Sequence, residues 1–276
     1  MSVAALVAIT GCSSGSDDDS ARTGSRGSEG RADRGATDSS TTDPTTTDAP
    51  TQGRTALEEV CGDASPGGEA GWIDVEGVGR IQVGTIGTGE KVAVFFHQGG
   101  RGSMCGFAEY ASWLAEQGVR SVLVNQCGHG DSECDAGLPV VETWPAVARA
   151  VIADAKGDGA TRITVVGASA GGALAMVMAA ESPDIHAMVT LSGALDYSGL
   201  DSTAAAAEVR QPVLIAVAPE DEPTPEDLQA LGDAISSTEK QVVVVDDQVG
   251  DHGWDLLMEG EEWTPLAEQA RTLIVG

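Results

Sequence analysis

Short apolar runs alternate along the chain with longer stretches whose apolar residues recur at helical spacing. Lys91–Phe96, Val119–Val124, Arg162–Val166, Ala187–Leu191, Pro212–Val217 and Gln241–Val245 are short, rich in β-branched residues and nearly free of polar alternation. Strands buried on both faces of a parallel sheet read this way. Gly79–Ile86 reads as an earlier strand, alone or in a hairpin. Between these runs, Phe107–Gln117, Val140–Lys156, Ala170–Glu181, Pro225–Ile235 and Pro265–Ile274 have helical periodicity. Gly118 and Gly157 follow two of them as C-terminal stops. Thr224 and Pro225 open another, as N-cap and first helical residue. Strand and helix in alternation predict an α/β domain with a mostly parallel central sheet and helices on both faces.

This pattern begins only near residue 57. From Ser13 to Ala56 there is no Val, Ile, Leu, Met, Phe, Trp, Tyr or Cys. Such a segment cannot bury enough apolar surface to offset its ordering entropy, so residues 13–56 are expected to be a disordered Ser/Thr/Asp/Gly-rich tether. A flexible coil of that length spans roughly 35 Å root-mean-square. A prosequence removed later is the alternative. Residues 57–276 are long enough for one domain with a substantial core.

Charge narrows the partners. With 43 Asp and Glu against 15 Lys and Arg, the formal net charge is −28. Nucleic acid is not an expected partner, because binding phosphates needs a basic face. A polybasic grip on anionic lipid is excluded for the same reason. No run of ~18 apolar residues is present, so no membrane-spanning helix is expected.

The first twelve residues pair a short apolar patch, Val3–Ile9, with Ile9-Thr10-Gly11-Cys12. This resembles the lipobox of bacterial lipoproteins, in which the Cys is lipidated and becomes the mature N-terminus. The resemblance implies a signal segment at 1–12, lipidation of Cys12, and an extracytoplasmic protein held on the bacterial cell membrane by acyl chains. No Lys or Arg precedes the patch and it is short for a signal sequence, so a translation start upstream of Met1 is a further expectation.

Four cysteines remain: Cys61, Cys105, Cys127 and Cys134. They allow three pairings. Cys127–Cys134 is favoured because the ends of one short loop are close in space, which leaves Cys61–Cys105. Loop-closure entropy assigns about 2.5 kcal/mol to the first and about 4 kcal/mol to the second. The alternative is four reduced, buried thiols. No Cys-x-x-Cys pair suggests zinc.

One turn carries the chemistry. Gly167-Ala168-Ser169-Ala170-Gly171 lies between the strand from Arg162 and the helix from Ala170. A Gly-x-Ser-x-Gly sequence in that setting is a nucleophile elbow. The turn is too tight for side chains two residues either side of the serine. The Ala170 amide opens a helix, so it can receive an anion.

Over residues 70–276 the sequence resembles an α/β-hydrolase, whose landmarks occur in order. His97-Gln98-Gly99-Gly100 is similar to the His-Gly motif that supplies the second oxyanion donor. Gln98 stands where that motif has glycine, so Gly99 and Gln98 are alternatives beside Ala170. His97 is expected to be structural. Cys127-Gly128-His129-Gly130-Asp131-Ser132 resembles the family's Gly-His-Gly-x-Ser turn, with His129 a turn residue. His186 reads as surface. The family's order of serine, acid, histidine points to Asp221, followed four residues later by Pro225, with Glu220 and Glu222 as competitors. It points to His252 as base, flanked by Asp251 and Asp255.

The resemblance implies a Ser169–Asp221–His252 triad acting through an acyl-enzyme, with no metal or organic cofactor. Only the short segment Ser192–Gln211 occupies the usual place of a lid, so no large lid domain is expected. With few aromatic residues nearby, the expected substrate is a small or medium carboxylic ester. Peptides, thioesters and a catalytically inactive surface-binding lipoprotein are the alternatives. Oligomeric state is not legible in the sequence.

Overall fold

The computed structural model describes residues 54–135, 137–246 and 251–276. The expected lipobox, Cys12 and tether lie outside the described residues.

Eight principal strands and five principal helices build the domain. They are β1 (Glu69–Val75), β2 (Gly79–Ile86), β3 (Lys91–Phe96), α1 (Ala108–Ala115), β4 (Val119–Val124), α2 (Val140–Gly157), β5 (Arg162–Ala168) and α3 (Ala170–Glu181). Then come β6 (Ala187–Leu191), β7 (Val213–Val217), α4 (Pro225–Ala234), β8 (Lys240–Val244) and α5 (Pro265–Val275). The sheet runs β1-β2-β4-β3-β5-β6-β7-β8. β1, β2 and β4 pair antiparallel, and every pairing from β4 onward is parallel. The chain thus crosses over repeatedly between parallel strands, which is why helices cover both faces.

Side chains alternate across the strands, so each strand feeds two cores. Val92, Val94 and Phe96 of β3 join α2, α3 and α4 on one face. Ala93 and Phe95 join α1 and α5 on the other. Central strands β6 and β7 are buried along their whole length, which explains their unbroken apolar runs.

The element boundaries follow local chemistry. Thr224 caps α4 through its side chain, and Asp227 returns the bond to the Thr224 amide, a complete capping box with Pro225 behind it. Gly118 takes φ +75° after α1 and bonds Ala115. β1 is the strand the apolar pattern did not reveal.

Both disulfides form in the expected pairing, Cys61–Cys105 and Cys127–Cys134. Between β6 and β7 the chain makes a two-strand hairpin, Asp196–Tyr197 with Leu200–Asp201, and the short helix Ser202–Ala206. This hairpin and short helix fill the segment between β6 and β7, where no large lid domain was expected.

Candidate active site

Parallel strands end together, so the loops after β3, β5, β6, β7 and β8 gather at one rim of the sheet. The sharpest of them carries Ser169. Its φ of +48° and ψ of −113° are a conformation L-residues rarely adopt. Strain of this kind costs about 1–3 kcal/mol and persists only where the surroundings enforce it. Here Ser169 N–H donates to Leu191 O at 2.9 Å, and Ser169 O accepts from the Ala194 amide at 3.0 Å. A side chain at Gly167 would run into the Gly171 carbonyl, and one at Gly171 into the carbonyls of Phe96 and His97. The elbow's two glycines are thus sterically required. Ser169 is half-buried, and Ala170 begins α3 directly behind it.

The loop after β3 packs against that helix start. Gly99 has φ +75°, and a side chain there would meet Ala170 Cβ at 2.9 Å. The Gly99 backbone therefore packs against the first residue of α3. His97 is fully buried. Burial, with the neighbouring His129, pushes its pKa down to about 3, so the ring is neutral. Gly99 N–H donates to His97 Nδ1 at 3.0 Å, and Gln126 N–H points to Nε2 at 3.3 Å. A neutral imidazole accepts through one nitrogen only, so the two amides compete for it.

The loop after β7 presents Asp221, whose side chain is 5% exposed. Asp221 Oδ1 lies 2.8 Å from His252 Nδ1 and also accepts the Glu222 amide at 2.7 Å. Asp221 Oδ2 is buried and has no partner among the described residues. The competing Glu220 and Glu222 are exposed. Asp251 and Asp255, the other carboxylates beside His252, are exposed too. Partial burial and then Asp251 hold the Asp255 carboxyl above the usual range, against His252 and a Trp254 hydrogen bond that act the other way.

His252 is placed by its neighbour. Gly253 has φ +62°, donates its N–H to Ser192 Oγ at 2.9 Å, and would touch Ala168 Cβ at 3.4 Å if it carried a side chain. The His252 loop therefore docks on the residue before Ser169. With Nδ1 turned to Asp221, Nε2 is the nitrogen left for a hydroxyl.

His129 is half-buried with Nδ1 3.2 Å from Cys127 O, and exposed His186 receives the Ile163 amide at 3.2 Å. Neither approaches the Asp221–His252 pair in sequence order or in bonding. Four side chains at this rim were not anticipated. Ser192 carries the Gly253 bond, Trp254 covers Gly102 and Gly106, and Tyr197 stacks near Trp144 beside Gly99. The expectation of few aromatic residues near the site is thereby corrected: rings 53 positions apart in the chain meet because α2 and the hairpin after β6 share one face. The Ser198-Gly199 turn dipeptide was the available signal for the hairpin.

Among the described residues no group of His, Cys, Asp and Glu could hold a metal ion. A cleft of about 720 Å³ lined by Arg162, Val213, Lys240 and Gly276 opens at the opposite ends of the strands, away from Ser169.

Residues 88–201 match the model of the serine aminopeptidase (S33) hydrolase family. That span holds the His97 loop and the elbow and stops before Asp221 and His252. No curated protein is significantly similar in sequence. Among solved structures, an esterase of Pyrococcus furiosus superposes with a TM-score of 0.63 at 16% identity, covering 75% of this chain and 90% of its own. Est1E of Butyrivibrio proteoclasticus, solved with ferulic acid bound, gives 0.59 at 19% identity, covering 74% and 96%. The thioesterase domain from the curacin biosynthetic pathway gives 0.60 at 16% identity, covering 76% and 99%. By its strand order, its elbow and these likenesses, the chain has the α/β-hydrolase fold.

Proposed function

We propose that the chain is a serine hydrolase of small or medium carboxylic esters, working through an acyl-enzyme. The observation that carries the reading is the buried Asp221 aimed at His252 Nδ1 at 2.8 Å, at the rim where the strained Ser169 stands. Serine is a weak nucleophile until a base takes its proton, and the base works only when a carboxylate holds its tautomer. Asp221 accepts the Nδ1 proton of His252 and stabilises the imidazolium. His252 Nε2 removes the Ser169 proton as Oγ attacks the acyl carbonyl, then returns it to the departing alkoxide. The Ala170 amide and one from the His97 loop receive the developing O⁻, each worth about 3–4 kcal/mol. Gln98 is the freer second donor, since Gly99 N–H is engaged with His97; Gly99 serves when His97 accepts from Gln126 instead. Water then cleaves the acyl-enzyme by the same proton route.

The ester reading draws on the esterase and thioesterase neighbours. The family match, whose description is an aminopeptidase, supports a peptidase as second reading. Assay of short p-nitrophenyl esters beside aminoacyl p-nitroanilides and acyl thioesters separates the three. A fluorophosphonate probe is expected to label the full chain and not Ser169→Ala, with turnover falling about 10⁵-fold in the variant. Failure of the unmodified chain to label overturns the reading.

The same proposal places the enzyme outside the cytoplasm, held on the bacterial membrane by lipid on Cys12. Two disulfides at the site's borders support an oxidising compartment.

A further inference from the structure

The loop after β3 divides the site. Gln98 turns toward Gly253 and Trp254, the side of His252, whereas Gly99 turns toward Ala170 and Tyr197. The base must protonate the leaving group, so the alcohol portion of an ester lies on the Gln98 side. The acyl substituent then projects to the other side, past Gly99.

There it meets rings. A side chain at Gly99 would stand 3.5 Å from the Tyr197 hydroxyl and 3.7 Å from the ring carbon bearing it. Behind Tyr197, the Trp144 ring lies 5.3 Å away, tilted by 35°. Trp144 touches His97 and His129 edge-on, each at 5.7 Å, and those two imidazoles are 4.2 Å apart. The whole chain has ten Phe, Trp and Tyr residues, so two of them beside one oxyanion loop are a local concentration. Trp144 is 1% exposed and its Nε1–H has no partner; the side-chain amide of Gln126, on the adjoining loop, is also buried with both ends unpartnered.

The wall is also held in place. Ser198 and Gly199 both take positive φ, +52° and +91°, the two-residue turn that matches strand twist. Gly199 N–H is tied to Asp196 Oδ1 at 3.4 Å. Tyr197 thus reaches the site from a short, constrained hairpin.

We infer that Tyr197, backed by the buried Trp144, forms an acyl subsite selective for planar aromatic acyl groups, such as benzoyl or cinnamoyl, over saturated groups of the same size. The inference rests on the serine-hydrolase reading for which side is acyl. Tyr197 offers a ring face and a hydroxyl, and a flat acyl group stacks where a puckered one does not.

The test compares p-nitrophenyl benzoate with p-nitrophenyl cyclohexanecarboxylate on the full chain. The leaving group is common and only the acyl ring differs. After division by the rates of spontaneous hydrolysis, kcat/KM is expected to favour benzoate about tenfold. Tyr197→Phe should keep that preference and Tyr197→Ala should erase it, with thermal melting confirming that both variants fold. A corrected ratio near one in the unmodified chain, or an unchanged ratio in Tyr197→Ala, overturns the subsite. Binding is read separately by saturation-transfer NMR of benzoate and cyclohexanecarboxylate to Ser169→Ala. Selective benzoate binding lost in Tyr197→Ala supports the subsite even where no ester is turned over, an outcome that sinks the hydrolase reading alone. Equal signals from the two acids overturn the subsite even where esters are cleaved.

Discussion

Two side chains show how position decides chemistry. Glu220, Asp221 and Glu222 are adjacent carboxylates, yet only Asp221 is buried against an imidazole. Asp221→Asn is expected to lower kcat by about 10³–10⁴, because the amide presents the wrong partner to Nδ1. Glu220→Gln and Glu222→Gln should stay within about twofold, since exposed charges act through screened water. Equal losses at all three positions in ester turnover would refute the assignment. His97 makes a different statement. Its folded pKa is about 3 against an ordinary 6.5, so below pH 6.5 the unfolded chain binds a proton that the folded chain refuses. Stability is therefore complete above pH 6.5 and falls as pH drops toward 3, by at most about 1.4 kcal/mol per pH unit. Between pH 7 and pH 5 the unmodified protein should lose about 2 kcal/mol more than His97→Asn in urea unfolding. Parallel pH curves for the two would show that the ring is not held neutral.

At the scale of elements, the disulfides differ in what they join. Cys61–Cys105 closes 44 residues and fixes the helix Glu58–Cys61 to the turn Met104–Phe107. That turn carries Gly106 against Trp254, two residues from His252. Cys127–Cys134 closes only seven and braces the loop of His129. Replacing both cysteines of the long bridge with serine should cost about 4 kcal/mol, against about 2.5 for the short one. Denaturant midpoints at constant slope would measure this, and a larger loss at the short bridge would contradict it. Elements of this kind were unevenly legible. β3 through β7 were readable because strands covered on both faces contain almost nothing polar. β1 was not, since Glu69-Ala70-Gly71-Trp72-Ile73-Asp74-Val75 lies in the antiparallel part of the sheet, half-exposed, with a glycine inside. Ser169, Asp221 and His252 could be named because strand ends converge and each follows a recognisable run. Tyr197 and Trp144 could not, because their meeting depends on which face a crossover helix takes. Ser192 was equally invisible, a hydroxyl whose role exists only once the Gly253 amide reaches it.

The molecule as a whole is anionic and, on our reading, anchored. Thirty-five of the 43 acidic residues and ten of the 15 basic ones fall within 57–276, so the folded domain carries −25 of the −28. A membrane of anionic lipid repels such a body. The repulsion decays over a Debye length of about 8 Å at physiological salt. An acyl anchor at Cys12, as proposed, would hold such a body at the membrane against this repulsion. Removing the anchor should then change location and leave chemistry alone. Expressed in a bacterial host, the full chain is expected to enter the detergent phase on Triton X-114 partitioning and to incorporate labelled palmitate. Cys12→Ala should do neither, while its kcat/KM on a soluble p-nitrophenyl ester stays within about twofold, because Cys12 is not among the residues assigned to the site. Aqueous partitioning of the unmodified chain would refute the anchor, and detergent partitioning of both would move it to another part of the sequence.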